Sequence, residues 1–392
     1  LGLSRLLVRY SQGTGDLAAA NDAIRLTPLD AVAHSAGADA LSLSSSPAET
    51  ASELERAVAL RPADYLLWST LGLFRDQMGD TTAALAACNE AVRLAPYYAQ
   101  PRWRRGNVLL RAGQYDAAFQ DLNQAAQSDP ELIPNLLDIA WSVSKGDANL
   151  TEQLAQIKTQ KTRIAFARFL ARQGKSEDAI TQFRAVGNVP DEVRRELIER
   201  LLGKRAFKEA FEIWNVSAGS ATSGEPTGAT IYDGGFEGSL AFDEVGFGWI
   251  VPRGLPAVNM SMDSGAPQSG SKSLRIDFGG DSNPGSALVS QLILAQPSKR
   301  YRVNFAARSQ DVVTGGLPLV VVEDASVERK RLGRSAPLSK GTRDWQVFSF
   351  EFTTEPTTSA VVLSLQRESC TTSPCPMFGS VSLDSFFIEE LK

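Results

Sequence analysis

One helix ending occurs four times along the chain: Ala-Ile-Arg-Leu-Thr-Pro28, Ala-Val-Ala-Leu-Arg-Pro62, Ala-Val-Arg-Leu-Ala-Pro96 and Ala-Ala-Gln-Ser-Asp-Pro130, each proline 34 residues after the one before. Proline lacks an amide proton and restricts the residue that precedes it, so each of these positions ends a helix. A fixed period of this length means stacked supersecondary units that share one continuous core. Within the unit from Tyr65, the residues Trp68, Leu71, Gly72 and Phe74 fall on one helix face. Gly79-Asp80 makes a turn, and Ala84, Cys88, Ala91 and Leu94 fall on the next helix. Small residues at 72 and 84 fit where two backbones approach closely.

The Trp, Leu-Gly, Gly-Asp, Ala, Ala and Pro signals of Tyr65–Pro96 resemble the tetratricopeptide repeat, and Gly106, Gly113, Tyr115, Ala118, Ala125 and Pro130 repeat them. The resemblance implies antiparallel helix pairs stacked into a right-handed solenoid whose groove takes a protein or peptide partner. About six pairs are expected over residues 1–216, with the first incomplete and the last acting as a cap. Between Asn135 and Lys161 the register departs from 34 residues. Arg102, Arg105 and Asn107, on the first helix of the best-formed repeat, are the candidate partner-binding residues.

Residues 217–228 hold only Gly, Ser, Thr, Ala, Glu and Pro and read as a flexible linker. Beyond them the hydrophobic period changes to two, in short runs such as Leu274–Phe278, Tyr301–Phe305, Val347–Phe352 and Leu383–Ile388. Runs of this kind separated by Gly, Pro, Ser and Asp predict an all-β sandwich over 229–392. The fold class is therefore an all-α solenoid followed by an all-β jelly-roll sandwich. Asp233-Gly-Gly-Phe-Glu237, Gly248-Trp249, Ser269 to Ile276, Gly341 to Gln346 and Leu383 to Phe386 together resemble carbohydrate-binding modules of the fourth and ninth families. That resemblance implies a galactose-binding-like jelly roll, a polysaccharide ligand, and a structural calcium held by Glu237 and Asp384. The alternative for those two residues is a pair of ordinary surface acids.

Strand alternation gives a candidate glycan surface. With Tyr301, Val303 and Phe305 inward, Arg302, Asn304 and Arg308 face outward, and the same logic adds Gln291, Gln366 and Arg367 on other strands. Planar amides and guanidinium groups can bridge vicinal sugar hydroxyls; the competing reading is a solvated sheet face. Trp249 is a further candidate for sugar stacking, against a place in the core. Trp345 is expected to anchor a sheet edge or the core.

Catalysis has little support. The one histidine, His34, occupies the repeat position that Trp68 holds elsewhere, which predicts a packed helix-face residue and leaves no His-based triad or zinc set. Gly279-Gly280 and Gly315-Gly316 are turn glycines, not a phosphate loop. A net charge of -5 with scattered basic residues gives no footprint for nucleic acid, and no stretch reaches the roughly 18 apolar residues of a membrane span. Cys370 and Cys375, close together in a Ser-Pro-rich loop, are expected to form a disulfide, which fits an exported protein, periplasmic or extracellular. The start at Leu1, without Met and inside an amphipathic pattern, is what a removed signal peptide, a membrane anchor or a boundary within a longer chain would each leave. The expectation is a non-catalytic exported scaffold, in exopolysaccharide assembly or secretion. The alternatives are a structural subunit whose β domain binds protein, and a glycan-active enzyme.

Overall fold

The computed structural model describes residues 2–43, 46–187, 189–217, 229–240, 242–327, 330–371 and 373–392. The chain divides into two compact units, Leu1–Phe169 and Leu170–Lys392. The linker expected over 217–228 lies, from residue 218 on, outside the described residues.

Among the described residues six consecutive helix pairs pack together: α1 Gly2–Thr14 with α2 Leu17–Leu26, α3 Ala31–Leu43 with α4 Pro47–Leu60, α5 Tyr65–Gln77 with α6 Thr81–Leu94, α7 Ala99–Arg111 with α8 Tyr115–Ser128, α9 Ile133–Val143 with α10 Ala148–Leu154, and α13 Asp191–Gly203 with α14 Phe207–Ser217; α11 Gln160–Arg172 and α12 Ser176–Arg184 come before the last pair in the chain. Aspartates cap several of them: the side chains of Asp16, Asp64, Asp80 and Asp147 accept backbone N–H groups at the starts of α2, α5, α6 and α10. Gly72 shows why the unit needs a small residue. A Cβ there would stand 2.5 Å from Cys88 Sγ and 3.3 Å from the Ala84 carbonyl, and Gly106 meets the same limit against Leu122 and Ala118.

The prolines do more than stop helices. Six residues after each of the first three, a side chain returns an N–H to the proline carbonyl: His34 Nε2 on Pro28 O at 2.9 Å, Trp68 Nε1 on Pro62 O at 2.9 Å and Arg102 Nε on Pro96 O at 2.7 Å. Three different residue types thus satisfy one recurring orphan acceptor. His34 is buried, with Nδ1 2.6 Å from Glu53 Oε2, as a packed helix-face residue should be. At the fourth proline the corresponding residue is Leu136, which has nothing to donate. There the backbone takes over: Pro130–Leu132 winds into a 3-10 turn and the Ile133 N–H bonds Pro130 O. The register change of the sequence begins at that substitution.

The second unit carries ten strands in two antiparallel five-stranded sheets. With β1 Trp249–Ile250, β2 Val258–Asp263, β3 Ser273–Asp281, β4 Val289–Leu294, β5 Arg300–Thr314, β6 Pro318–Asp324, β7 Arg331–Arg334, β8 Gly341–Thr353, β9 Ala360–Arg367 and β10 Pro376–Leu391, the orders are β1-β4-β9-β6-β7 and β2-β3-β10-β5-β8. The predicted strands are all present, and the short β1, β2 and β7 are added. Residues of both sheets, among them Ile276, Val289, Tyr301, Phe305, Val320 and Leu363, share one core.

Helices α12–α14 belong to this unit because an aromatic cluster ties α14 to the sandwich. Trp214 meets Tyr232 edge-on with ring centroids 4.8 Å apart, and Phe211 meets Phe247 at 5.1 Å. Gly246, at φ 134, lies against the Trp214 indole where no Cβ fits. Burying four rings contributes several kcal/mol at about 25 cal/mol per Å² of apolar surface.

Candidate functional site

The outer face of the second sheet keeps large apolar side chains exposed. Along β5, Tyr301, Val303 and Phe305 point into the core, so Arg302, Asn304 and Ala306 point out. On β8 the outward positions are Trp345, Val347, Ser349 and Glu351, with Asn304 opposite Ser349 and Ala306 opposite Val347. On β10 a register shift between Asp384 and Phe387 changes which residues face out: Phe386 and Ile388 turn inward, and Phe387, opposite Asn304, turns outward. Val347 is 74% and Phe387 55% exposed.

Ion pairs bound this apolar strip at both ends. At one, Arg302 donates to Glu351 at 2.7 Å and Glu389 at 3.4 Å; hydrogen bonding from Arg302 holds the Glu351 carboxyl below its ordinary pKa. At the other, Arg308 donates to Asp263 at 2.8 Å and to Ser382, and lies over the half-buried Trp345 ring at 5.1 Å from its centroid. The Trp345 indole N–H donates to the Ala266 carbonyl at 3.1 Å. Asn304, exposed aromatic and aliphatic surface, and guanidinium groups at either end form a platform on which a sugar ring can stack while its hydroxyls are hydrogen-bonded.

Four other candidates lie elsewhere. Gln291 belongs to the opposite sheet and is fully buried; its amide donates to Tyr232 O and accepts from Tyr232 N, both at 2.9 Å. Gln366 is also in that sheet, half-buried and bonded to Ser364. Arg367, 4% exposed, ties loops together through the Ser282, Gly316 and Cys375 carbonyls. Trp249 is a core residue, stacked on Phe236 at 4.8 Å, with its N–H on Asp233 O. Alternation along β5 puts Arg302 and Asn304 outward, but on β4 Gln291 falls on the same side as the core residues Val289 and Ile293, and alternation alone does not say to which sheet a strand belongs. Phe387 was missed because the bulge in β10 breaks the period of two; the adjacent Phe386-Phe387 pair in an otherwise alternating run is its one trace in the sequence.

A second surface lies between α6, α7 and α8. Arg102 and Arg105 converge on Asp121, which is buried: Arg105 contributes Nε at 2.5 Å and Nη2 at 2.8 Å, and Arg102 Nη1 at 3.1 Å. Hydrogen bonding to Asp121 raises the Arg105 pKa. These side chains line a polar cavity of about 330 Å³ together with Asn89, Gln114 and Gln120. Asn107 is not among them, since its amide donates to Trp103 O on its own helix at 2.7 Å.

Glu237 and Asp384 are both brought close to Gly235. Glu237 accepts from Ser271 N at 2.8 Å and Ser271 Oγ at 2.5 Å, which lowers its pKa; Asp384 accepts from Gln268 N at 2.9 Å and Ser269 N at 3.1 Å. The Lys272 ammonium donates to the carbonyls of Glu237 and Gly238. A calcium ion would have to displace that ammonium to gain those carbonyls, and among the described residues no group of three or more His, Cys, Asp or Glu is placed to hold a metal. Two carboxylates and a lysine thus pin the 268–272 loop. Cys370 and Cys375 are joined by a disulfide, and Cys88 is a buried thiol that burial pushes up to about 11.

Residues 66–98 and 99–132 match the family model of the tetratricopeptide repeat. The helical region carries tetratricopeptide repeats. Among solved structures, one described as the crystal structure of MamA is 16% identical, with 39% of this chain and 90% of that chain covered and a TM-score of 0.35. A MamA RS-1 double mutant is 17% identical, with 43% and 94% covered and a TM-score of 0.37. One described as CBM4 structure and function is 16% identical, with 41% and 99% covered and a TM-score of 0.32. The repeats rest on the family match and on the proline-carbonyl bonds that recur with them; the sandwich rests on its own strand order.

Proposed function

We propose that this is a non-catalytic binding protein that holds polysaccharide on the outer face of its second sheet and a protein partner in the groove of its repeats. The observation that carries the first half is the exposure of Phe387 and Val347 beside Asn304, between the Arg302 and Arg308 ion pairs. Large exposed apolar residues bounded by polar and charged outward positions mark an interaction surface. Tetratricopeptide repeats support the second half, and the cavity lined by residues of α6, α7 and α8 presents the Gln114 and Gln120 amides to a peptide backbone. Export is supported by the Cys370–Cys375 bond, of a kind that persists in oxidising compartments. A place in exopolysaccharide assembly or secretion would use both surfaces.

A glycan array probed with the full chain tests this reading. The full chain is the right reagent, because α14 packs on the sandwich through Trp214 and Phe211. Binding to at least one polysaccharide is expected, with dissociation constants of roughly micromolar to millimolar, as a few hydrogen bonds and one stacked ring would give. A folded chain that binds no polysaccharide from its own source would leave the sheet face as a protein-binding surface.

A further inference from the structure

The repeat after Pro130 differs from the three before it in a way that opens a chamber inside the first unit. Helices α4, α6 and α8 each run 14 residues, whereas α10 runs seven. At 1.5 Å per residue, about 10 Å of helix is absent from the place where a full-length α10 would cover the end of α8 and the start of α9. The chain instead leaves α10 at Ala155, turns at Gln156 with φ 47, and reaches α11 at Gln160. Asn123 holds this path by donating to the Leu154 carbonyl at 2.7 Å.

The chamber measures about 330 Å³. Its floor is apolar and buried: Ala126 from α8, Ile133, Leu136 and Leu137 from α9, and Ala155 and Ile157 from the returning segment. Exposed polar residues form its mouth, with Lys158 and Lys161 beside Gln127 and Gln156. No carboxylate lines it, and among the described residues neither lysine makes an ion pair; the neighbouring Arg163 is the one that takes Glu152. The first turn of α11 opens on the same rim, where Thr159 Oγ1 caps the Thr162 N–H at 3.2 Å, so the positive end of a 13-residue helix adds to the field of the lysines.

An apolar floor of this size gains from an apolar occupant. A cationic rim with no acid to neutralise it selects an occupant with one anionic end. We infer that the chamber binds a single-chain aliphatic carboxylate of medium length, its chain on Leu136 and Ile157 and its carboxylate between Lys158 and Lys161. The volume is about eleven times a water molecule's share of the liquid, room for a chain of about ten carbons. Leu136 therefore has two consequences: it cannot bond the Pro130 carbonyl, and it supplies the floor of the space that the altered register leaves.

Calorimetric titration of the full chain with decanoate, decanol and butyrate tests the inference. Decanoate saturates with a dissociation constant of about 10–100 micromolar, decanol binds at least about tenfold more weakly, and butyrate does not saturate. Lys158→Glu/Lys161→Glu, at two exposed positions, weakens decanoate about tenfold while leaving the melting temperature of the free protein unchanged. Leu136→Trp fills the chamber and abolishes binding, with Ala126→Phe as the second filler should the first not fold. Absence of saturation by decanoate, equal affinity for decanol, or undiminished binding by a folded filled variant would each overturn it.

Discussion

Arginines organise both candidate binding surfaces, but they do different work in the two compact units. In the repeats, Arg102 and Arg105 close on Asp121, a carboxylate that among the described residues has no other counter-charge and almost no access to water. On the sheet, Arg302 and Arg308 pair with acids that are themselves partly open to solvent, and the surface between them is apolar. Breaking a buried pair leaves a charge that water cannot reach; breaking an exposed pair leaves one that it can. The repeat arginines are therefore part of the fold first, and what the cavity offers a partner are the amides around them. The sheet arginines frame a surface that the fold does not need.

The largest expected effect follows directly. Arg102→Met/Arg105→Met should lower the unfolding free energy by about 3 kcal/mol, because the buried Asp121 carboxylate loses both counter-charges, while Glu351→Ala should leave the urea midpoint of the sandwich unmoved. Equal losses in the two variants would break the comparison. The same reasoning rules out Arg102→Glu/Arg105→Glu as a clean probe of partner binding, since it would set three acids together. Gln114→Ala/Gln120→Ala is the better one, expected to lower partner recovery in a pull-down without a change in melting temperature.

A smaller effect is expected from the proline-carbonyl bonds. Trp68→Phe removes the N–H to Pro62 O together with one of the two fused rings, which should cost about 1–2 kcal/mol in chemical denaturation. No loss at all would mean that the recurring bond is incidental to the repeat. Smallest is the response of the 268–272 loop to acid. Ser271 lowers the Glu237 pKa in the folded chain, so the anchoring this carboxylate provides is fully present above its unfolded value near 4.3 and is lost as pH falls through the lower folded value. The Ser271 amide resonance should titrate in that window, and Glu237→Gln should abolish the transition.

How far the sequence could be read differs between the same regions. The 34-residue spacing of Pro28, Pro62, Pro96 and Pro130 located the helix pairs because each proline acts through its own backbone, a local effect. Strand alternation placed Tyr301, Val303 and Phe305 inward for the same reason. Gln291 lies in the core and not on the open face, and the choice between sugar stacking and core for Trp249 falls to the core, because burial depends on which strand lies beside which, and that is decided by long-range pairing. The truncation of α10 also left a sign, the departure from period after Asn135, but the chamber it opens depends on the return path through Gln156, which no local pattern dictates. Phe387 needed the bulge after Asp384, with Ser385 at φ 54, before it could be placed on the outside.

The central claim is that the sheet face between Arg302 and Arg308 holds polysaccharide, and Phe387 is its most direct probe. Calorimetric titration of the full chain and of Phe387→Ala with the polysaccharide chosen by the array should give an affinity about tenfold weaker for the variant, with the melting temperature unchanged because more than half of the ring is exposed. Equal affinity of the two proteins would contradict the assignment of the ligand to this face.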